Sequence, residues 1–372
     1  MSERKVMVIG LGRIGNYALE FLARTPGIGT IYAADIDKEV GLAKTNNALL
    51  GAAQMGYYPN VEFIPLDIYN IEETASILNK IAPDVILSCV TLQAWWVISE
   101  LPQDLYRKLR VVAGFGPWLP MHLTPNYKLM KAIKNAGIKT HVVVAAFPDA
   151  TCPVLGKVGL APTIGLGNLD NFIPEIQKVV GERFGIPMRN VSVYMIGAHV
   201  LRTAFKLGME NVPYYLKIFA GDKDVTKEFN AKQLLIDAAN LAVKWQSDSK
   251  VASSGAKNVL AILNNTRDLT HSPGPQGLPG GYPVRLSLKG AEVALPEGVT
   301  MKEAIRINEE GNKLDGIEKI ENDGTVVYTE NAVNVMKEIF GYDCRRIKID
   351  ENEEKARELG WRYKEFAKKF EK

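Results

Sequence analysis

A glycine-rich turn directly after the first apolar run constrains this chain more than any other feature. The run KVMVI is typical of a short buried strand, Gly10-Leu11-Gly12-Arg13-Ile14-Gly15 follows it at once, and residues 16–23 are typical of a helix. Three glycines at this spacing allow a tight turn, a ligand close to the backbone, and close packing of helix on strand. Strand, turn and helix in this order predict an α/β fold with a doubly wound parallel sheet.

The alternation of strand and helix continues through residues 1–150. Residues 71–81 have helical spacing, and a second helix is predicted to begin with Thr124 as its cap and Pro125 as its first residue, ending near Gly137. The further predicted strands are TIYAAD, VEFIPLD, DVILSC, LRVVAGFG and KTHVVVAAF. Because they are apolar on both faces, they predict a sheet covered by helices on each side, forming a first domain over residues 1–150.

The pattern changes after Pro148 to one typical of antiparallel strands with intervening helices. It predicts a second α+β domain over residues 151–345, built on a mixed or antiparallel sheet, and a C-terminal helix within residues 346–372 that could return to the first domain. The predicted strands are VSVYMIG, YYLKIFAG, YPVRLSLKG, AEVALP, GIEKI and GTVVYT. The predicted helices are Asn171–Phe184, Thr226–Trp245, Ala256–Leu263, Met301–Glu310, Ala332–Phe340 and Glu351–Phe370.

Composition excludes several classes of function. The 45 basic and 42 acidic residues nearly balance, and the basic residues are scattered, so we expect no nucleic-acid partner. The 3 cysteines form no CxxC pair, so neither a zinc site nor a disulfide framework is expected. Neither a signal-peptide pattern nor a membrane-length apolar run occurs, and these observations together predict a cytoplasmic protein without a membrane partner.

The glycine turn and the acid that ends TIYAAD together predict a dinucleotide site. The free N–H groups at the helix start would hold a diphosphate, and Asp35, 20 residues after Gly15, would bind the ribose hydroxyls and repel a 2′-phosphate. NAD is therefore the expected cofactor and NADP the less favoured one, although Arg13 could meet a phosphate. The predicted cofactor contacts are Gly10, Gly12, Arg13, Ile14, Gly15, Asp35, Asp67, Ser88, Cys89 and Gly114.

Some of these positions have a structural alternative. Asp67 could border the adenine or cap the next helix. Ser88, Cys89 and Gly114 are included because ligands of open parallel sheets bind beyond the carboxyl ends of the strands.

A histidine is the expected proton-exchanging group of a hydride-transferring enzyme, and four are present. His199, after VSVYMIGA, is the favoured one, since Arg202 would share its helical face and could bind a carboxylate. His122 could also face the cleft, whereas His141 begins a strand at the edge away from the cofactor, and His271 lies in a segment predicted to be a loop.

The glycine- and proline-rich junction between the predicted domains should line the cleft between them. Its polar members are Asp149, Thr151, Cys152, Lys157 and Asn168. Lys157 is a further candidate for binding a substrate carboxylate. Asn168 or Asp170 could cap the next helix, or residues 165–168 at its start could hold an anionic substrate group. Cys152, at a predicted helix start, could act as a nucleophile on an aldehyde with His199 as base, or could be a small buried residue. The segment Ser272–Pro283 is predicted to be a loop that closes over the substrate or merely connects strands.

The first half of the chain resembles a known family. VMVIGLGRIGNYALEFL, IYAADID, FIPLDIYNIEE and PDVILSC are similar to the N-terminal NAD(P)-binding domain of saccharopine dehydrogenase-like proteins. KVGLAPTIGLGNLDN resembles the segment that opens the second domain in saccharopine reductases and lysine dehydrogenases. The resemblance implies an amino acid or an imine-forming keto acid as substrate, and carries over to Gly10, Gly12, Gly15 and Asp35 alone.

Three hypotheses follow. The first is an NAD-dependent oxidoreductase acting on an amino, keto or hydroxy acid, with His199 moving the proton and Arg202 or Lys157 binding a carboxylate. The second is a semialdehyde-type dehydrogenase with Cys152 as nucleophile, and the third is a non-catalytic protein that binds NAD. Unpaired strand edges also predict a homodimer.

Overall fold

The computed structural model describes residues 4–204, 208–209, 211–241 and 247–370, and every structural statement below concerns those ranges. The helices are α1 (Arg13–Ala23), α2 (Lys38–Gln54), α3 (Ile71–Ile81), α4 (Gln103–Lys108), α5 (Leu119–Ala136), α6 (Pro148–Lys157), α7 (Ile173–Phe184), α8 (Leu201–Ala204), α9 (Ala231–Asn240), α10 (Asp248–Leu263), α11 (Met301–Leu314), α12 (Glu330–Phe340) and α13 (Asn352–Ala367).

The strands are β1 (Lys5–Ile9), β2 (Thr30–Asp35), β3 (Asn60–Pro65), β4 (Val85–Ser88), β5 (His141–Val144), β6 (Ile164–Gly165), β7 (Val191–Gly197), β8 (Tyr214–Ala220), β9 (Lys223–Asp224), β10 (Leu269–Pro273), β11 (Gly281–Ser287), β12 (Gly290–Val293), β13 (Ile317–Ile320), β14 (Val326–Tyr328) and β15 (Arg346–Ile347).

A six-stranded parallel sheet of order β3-β2-β1-β4-β5-β6 organises the first part of the molecule. This is the strand order of a doubly wound dinucleotide-binding sheet, in which all carboxyl ends lie at one edge. The strands are short and apolar because both faces are covered, and all four residues of β4 are buried. The predicted parallel sheet is confirmed. It continues past residue 150, because β6 pairs with β5.

The strand predicted at LRVVAGFG is wrong. Residues 103–113 form a helical segment instead, α4 followed by one π-helical turn at Leu109–Ala113, and Gly114 ends it with φ +72°. Leu109 and Ala113, four residues apart, are its buried face. A short apolar run does not distinguish a strand from a buried helical turn, and Pro102 and Gly114 at the two ends were the helix signals.

Helix α5 begins earlier than predicted, so Pro125 lies inside it rather than at its start. A proline inside a helix leaves the carbonyl four residues earlier without its usual donor. Here the carbonyl of Met121 accepts instead from the backbone N–H of Leu92, at 2.9 Å, and from the hydroxyl of Thr91, at 3.3 Å. The proline therefore attaches the loop that follows β4 to the start of α5.

The second sheet is antiparallel, as predicted, and has the order β10-β11-β7-β8-β9, with β12 paired to β11. A small antiparallel sheet of β13, β14 and β15 follows it. The loop predicted at Ser272–Pro283 is wrong in part, because its ends belong to β10 and β11, and only a short turn joins them. The helix predicted at Thr226–Trp245 is observed as α9, and its end, residues 242–246, lies outside the described residues.

Three hydrophobic clusters hold the elements together. Two cover opposite faces of the parallel sheet, and the third lies between the antiparallel strands β7 and β8 and the helices α7 and α9. Helix α10 packs on α1 although it is far from it in sequence, and α13 packs on α5. In the parts of the chain that the structure describes, none of the helices has the length and hydropathy needed to cross a membrane.

Candidate functional site

The glycine loop, Gly10–Gly15, joins β1 to α1 at the carboxyl edge of the parallel sheet. Gly10 has φ +85°, a value that favours glycine, and a Cβ at Gly15 would overlap the carbonyl oxygen of Gly10. A Cβ at Gly12, in contrast, would meet nothing within 4 Å. Gly12 is the N-cap of α1, and no side chain caps the first N–H groups of the helix.

Asp35 ends β2 beside this loop, as predicted. One of its carboxylate oxygens accepts from the N–H of Leu11 at 2.6 Å, and the other accepts from the N–H of Asp37 at 3.0 Å. Asp37, the neighbouring acid, accepts from Val40 as the N-cap of α2. The Lys44 ammonium group donates to the carbonyl of Leu11 at 2.6 Å. The carboxylate of Asp35 therefore holds the glycine loop and keeps free acceptor capacity on its outer side.

The side chain of Arg13 contacts two other segments of the chain. It forms an ion pair with the buried Asp248 at the start of α10, and its guanidinium carbon lies 5.2 Å from the centre of the Trp96 ring. Ile14 packs, partly buried, against the core on the α1 side of the sheet. Arg13 therefore links three elements around the loop: α1, α10 and the segment after β4.

Of the other predicted cofactor contacts, Asp67 is exposed at the end of β3 and accepts from the N–H of Tyr69 at 2.9 Å. Its alternative role as a helix cap is wrong, because Asn70 caps α3. The buried Ser88 hydroxyl donates to Asn126 at 2.7 Å.

Cys89 lies beside the glycine loop, and burial raises the pKa of its thiol to about 12. Gly114 ends a helical turn rather than a strand, and a Cβ there would overlap the backbone of Asp315. Gly114 therefore allows the close approach of Asp315, a residue of the second candidate region.

His199 is the centre of that region. It follows β7, and its Nδ1 lies 2.7 Å from a carboxylate oxygen of Asp315, which comes directly after α11. The other carboxylate oxygen of Asp315 accepts from the N–H of Phe115 at 2.8 Å. Within the described ranges, Nε2 of His199 has no hydrogen-bond partner, and the side chain is 21% exposed. A carboxylate on Nδ1 fixes the imidazole with Nε2 directed to whatever binds next to it.

The fixed position of Asp315 also has an electrostatic effect. Burial acts to raise the pKa of Asp315, but His199, Arg110 and the N–H of Phe115 outweigh it, so the pKa lies below its ordinary value. Asp315 is therefore a carboxylate at neutral pH and stabilises a protonated His199 ring.

A second buried acid holds the backbone of His199. Asp149, in the first turn of α6, accepts from the N–H of His199 at 2.6 Å and from the side-chain amide of Asn168. Burial raises the pKa of Asp149 to about 6, and its contacts with His199 and Asn168 offset only part of this effect. The prediction that Asn168 or Asp170 caps a helix is wrong: Asp170 instead binds Lys257 and Ser254. The residues His199, Asp315, Asp149 and Asn168 are called the His199 site below.

Aromatic rings enclose one side of the His199 site. The ring of Phe115 lies 5.7 Å from that of His199 and 5.1 Å from that of His122, and Phe147 lies 5.7 Å from His199. Burial, together with the charge of His199, lowers the pKa of His122 to about 3. His122 is therefore a neutral member of this wall.

Arg110 lies beside the same ring. Its guanidinium carbon is 5.2 Å from the centre of Phe115, and it contributes to lowering the pKa of Asp315. In the described part of the chain its side chain makes neither an ion pair nor a hydrogen bond. A guanidinium with unused donors, over the ring that also contacts His199, is suited to bind a carboxylate.

The two cations predicted to bind a carboxylate lie in other surroundings. Arg202 makes two hydrogen bonds to the buried Glu175, at 2.9 and 3.0 Å, and Lys250 binds the same carboxylate. Lys157 is exposed in the last turn of α6 and donates to Asn322 at 3.2 Å. Asp149 lies in the first turn of that helix, about 12 Å away along its axis. The structure therefore does not bring Lys157 to His199, and it pairs Arg202 with Glu175.

The alternative role of Cys152 as a nucleophile conflicts with its surroundings. The side chain is fully buried, and burial, with the nearby Asp149, raises the pKa of its thiol well above the ordinary value. A nucleophilic cysteine must form an accessible thiolate. The structural alternative, a small buried residue packed against Gly274, agrees with the observed contacts.

Sequence reasoning missed Arg110 and Asp315, and it placed Asp149 in the cleft-lining junction without assigning it a role. Arg110 was hidden by the incorrect strand prediction, whereas Asp315 follows a helix with no motif around it. A signal existed for Asp149, a charged residue inside the apolar stretch VVVAAFPDATCPVL, because acids are rarely buried without a partner.

The remaining histidines lie elsewhere. His141 begins β5 and contacts Thr163 and the carbonyl of Leu288, and His271 is buried in β10. In the ranges that the structure covers, no three His, Cys, Asp or Glu side chains are grouped in a way that could hold a metal ion.

Comparison with known proteins supports the fold. Neither a protein-family model nor a curated protein matches this chain. Solved structures do match: a lactate dehydrogenase from a Medee basin deep-sea metagenome library has a TM-score of 0.59 at 15% identity, covering 84% of this chain and 97% of that one.

Two further structures are similar to the same extent. A lactate dehydrogenase from Cryptosporidium parvum, in complex with lactic acid and nicotinamide adenine dinucleotide, has a TM-score of 0.57 at 17% identity and covers 85% of this chain and 96% of that one. A malate dehydrogenase from Picrophilus torridus has a TM-score of 0.56 at 16% identity, with 84% and 97% covered.

These similarities show the two-part fold, a parallel Rossmann-type sheet with a separate antiparallel sheet. They support the Rossmann-type first domain in the predicted resemblance, but not its assignment to the saccharopine dehydrogenase-like family, because the similar structures are lactate and malate dehydrogenases. The resemblance rested mainly on the glycine loop and the strand pattern, which unrelated Rossmann-type proteins share.

Proposed function

We propose that this protein is an NAD-dependent oxidoreductase that interconverts a 2-oxo acid and the corresponding 2-hydroxy acid. The observation that carries this proposal is the His199–Asp315 pair, with Nδ1 held at 2.7 Å, in a chain whose Rossmann-type sheet carries the glycine loop. The fold similarity to lactate and malate dehydrogenases supports the choice of a hydroxy acid over an amino acid.

The residues of the glycine loop fit a dinucleotide. The open space at Gly12 and the uncapped start of α1 match a diphosphate, and the carboxylate of Asp35 matches two ribose hydroxyls. The same carboxylate disfavours a 2′-phosphate, so NAD is preferred over NADP. Bound NADH would supply the hydride, and with it the two electrons, that reduce the carbonyl carbon of the substrate.

The chain supplies the proton and the orientation. His199, protonated and stabilised by Asp315, donates the proton from Nε2 to the carbonyl oxygen as the carbon is reduced, and accepts it back in the oxidation of the hydroxy acid. Asp149 and Asn168 fix the backbone from which His199 projects. The rings of Phe115 and Phe147 cover one side of His199, and less water on that side strengthens each electrostatic contact.

Arg110 is the residue we assign to the substrate carboxylate. Its donors are unused within the described residues and it lies on the same ring, Phe115, that contacts His199. A guanidinium can bind a carboxylate through two parallel hydrogen bonds, which would fix the carbonyl relative to Nε2. Arg202, predicted for this role, would first have to leave Glu175.

The test is NADH consumption by the purified protein with a panel of 2-oxo acids, followed by absorbance. We expect turnover in the unmodified protein and a loss of about 10²- to 10⁴-fold in kcat for His199→Asn, since that is the usual contribution of a general acid. The control is His141→Asn, which removes a histidine from the opposite edge of the sheet and should leave kcat unchanged. Full activity in His199→Asn would contradict the proposal.

The Cys152 hypothesis is tested in the same assay, since Cys152→Ala should retain turnover. We also propose that the protein is cytoplasmic and forms a homodimer, as the sequence predicts. Sedimentation of the purified protein tests the dimer, and a monomer at micromolar concentration would contradict it.

A further inference from the structure

Five acidic side chains are buried among the residues that the structure describes, and one of them differs from the rest in its partners. Four of the five contact a cation, namely Asp170 with Lys257, Glu175 with Arg202, Asp248 with Arg13 and Asp315 with His199. Asp149, whose side chain is fully buried, makes no ion pair within the described ranges. Its carboxylate accepts from N–H groups instead, so its charge is less compensated than that of the other four.

The two hydrogen bonds of Asp149 join three parts of the fold. Asp149 follows β5 in the first turn of α6, and its carboxylate accepts from the side-chain amide of Asn168, which follows β6. It also accepts from the backbone N–H of His199, which follows β7, at 2.6 Å. Strands β5 and β6 belong to the parallel sheet and β7 to the antiparallel sheet. Asp149 therefore connects the sheet that carries the glycine loop to the backbone of the histidine that we assign to proton transfer.

Backbone strain lies on both sides of this connection. Phe147, two residues before Asp149, has φ +43°, and Asn168 has φ +53°, values in the left-handed region that favours glycine. Such conformations persist only where the surrounding contacts hold them, and they are concentrated at functional sites. At Asn168 one of these contacts is the hydrogen bond to Asp149.

Protonation of Asp149 would disrupt this arrangement. An ionised carboxylate accepts hydrogen bonds through both oxygens, whereas a protonated one carries an O–H group that needs an acceptor of its own. Both oxygens of Asp149 face N–H donors, so the added proton would displace one of them. Loss of the bond to His199 would free the backbone from which the imidazole projects.

The groups around Asp149 place this protonation in an accessible pH range. Burial raises the pKa of Asp149 to about 6, and the nearby charge of His199 opposes this increase only in part. Asp315, the second carboxylate beside His199, acts in the same direction as burial. Burial also raises the pKa values of the titratable neighbours on α6 and β11, Cys152 and Tyr282, so both are neutral.

We propose that Asp149 is an acid-sensitive positioning residue, whose ionised form holds His199 in the orientation for proton transfer and whose protonation frees that histidine. This inference rests on the proposed function and explains the acidic side of its pH profile. Protonated His199 is the proton donor in the reduction of a 2-oxo acid, so loss of its proton removes activity on the alkaline side. A fall in activity on the acidic side therefore requires a second group, and Asp149 supplies it.

The first experiment measures kcat/KM against pH for NADH and the 2-oxo acid that the wild-type protein reduces fastest. We expect kcat/KM to be about tenfold lower at pH 5 than on its plateau, since Asp149 is then mostly protonated. Asp149→Asn keeps the shape but carries no charge at any pH, so kcat should be about tenfold lower at neutral pH and the acidic fall should disappear. Asp224→Asn is the control, because Asp224 also accepts from a backbone N–H, that of Thr226 at 3.0 Å, but is exposed in β9.

An exchange of the two side chains separates the hydrogen bonds from the packing. In the double variant Asp149→Asn/Asn168→Asp, the amide at position 149 can donate to the carboxylate at position 168 and still accept from the N–H of His199. We expect this exchange to recover most of the kcat that Asp149→Asn loses. An exchange no more active than Asp149→Asn, or an acidic fall that persists in Asp149→Asn, would contradict the positioning role.

A measurement without turnover keeps the two proposals distinguishable. Labelling the 4 histidines with 15N gives one backbone amide signal for each, and His199→Asn identifies the signal of His199. Its amide proton should move upfield with a midpoint near pH 6, as the bond to the carboxylate weakens, and Asp149→Asn should abolish this movement. The amide of His141, bonded to the backbone carbonyl of Asp84 at 2.9 Å, is the control in the same spectrum.

The outcomes then separate clearly. If no 2-oxo acid is reduced but the His199 amide titrates with Asp149, the proposed function fails and the acid-sensitive connection stands. If a 2-oxo acid is reduced while neither the amide signal nor the acidic fall depends on Asp149, the inference is wrong and the proposed function stands.

Discussion

The glycine loop and the His199 site are assembled from very different lengths of chain. The loop spans six adjacent residues, Gly10–Gly15, and needs only Asp35 from the next strand. The His199 site joins residues from α6, the turn after β6, the end of β7 and the end of α11. Adjacent residues determine the conformation of a local turn, whereas a site formed by distant elements depends on how those elements pack.

The difference extends to how each region tolerates change. In the loop, backbone N–H groups would bind the ligand, so a substitution acts mainly by adding a side chain where a glycine is needed. In the His199 site, side chains hold one another through buried charges, so removing one leaves its partner without compensation. We therefore expect the largest effects in the His199 site.

Asp315→Asn should have the largest effect on activity among the variants discussed here. The variant keeps the shape but removes the charge that stabilises the protonated ring and orients Nδ1, so kcat should fall by about 10- to 100-fold. The alkaline limb of the pH profile of kcat/KM should move to lower pH, since the protonated imidazole loses its neighbouring negative charge. Glu318→Gln, an exposed change two residues into β13, is the control. If kcat falls but the pH profile stays the same, Asp315 contributes to packing and does not stabilise the charge on His199.

The loop can be tested with two of its own glycines. Gly15→Ala should lower the free energy of unfolding by about 1–3 kcal/mol, because its Cβ would overlap the carbonyl of Gly10. Gly12→Ala should change it by less than about 0.5 kcal/mol, because the space there is open. Both should weaken NADH binding. Urea unfolding measures the change in stability, and fluorescence titration measures the affinity for NADH. Normal NADH affinity in Gly12→Ala would contradict the proposal that a diphosphate occupies the space at Gly12.

The last prediction concerns the neutral wall of the His199 site, and it has no effect on stability at neutral pH. The pKa of His122 is about 3 in the folded protein, below its ordinary value of 6.5, so the unfolded chain binds the proton more readily. The resulting stability is complete above about pH 6.5 and is lost as the pH falls toward 3, at no more than about 1.4 kcal/mol per pH unit. His122→Phe should flatten this slope in urea unfolding, whereas His141→Phe should keep it.

The sequence alone predicted much of the fold. The strands at KVMVI, TIYAAD, VEFIPLD, DVILSC and KTHVVVAAF were readable because burial on both faces makes them apolar throughout. The same property misled the strand prediction at LRVVAGFG, because a buried helical turn is equally apolar. The prediction that Pro125 begins a helix was wrong because the donors that compensate for a proline inside the helix, from Thr91 and Leu92, are distant in sequence.

The candidate site was predicted less completely. His199 was chosen as a residue at a strand end, and it does follow β7, but its partner Asp315 lies 116 residues away. Arg202 was chosen for its spacing from His199, and Glu175, which binds it, could not be identified from that spacing. Sequence patterns report which side chains are available, while tertiary packing decides which of them meet.

Titration of NADH and NADPH into the wild-type protein, Asp35→Ala and Asp37→Ala tests whether the glycine loop and Asp35 hold a dinucleotide. We expect wild type to bind NADH at least about tenfold more tightly than NADPH, and Asp35→Ala to weaken NADH binding more than NADPH binding. Asp37→Ala, which loses only a helix cap, should keep the preference. Tighter binding of NADPH to the wild-type protein, or no binding of either, would contradict it.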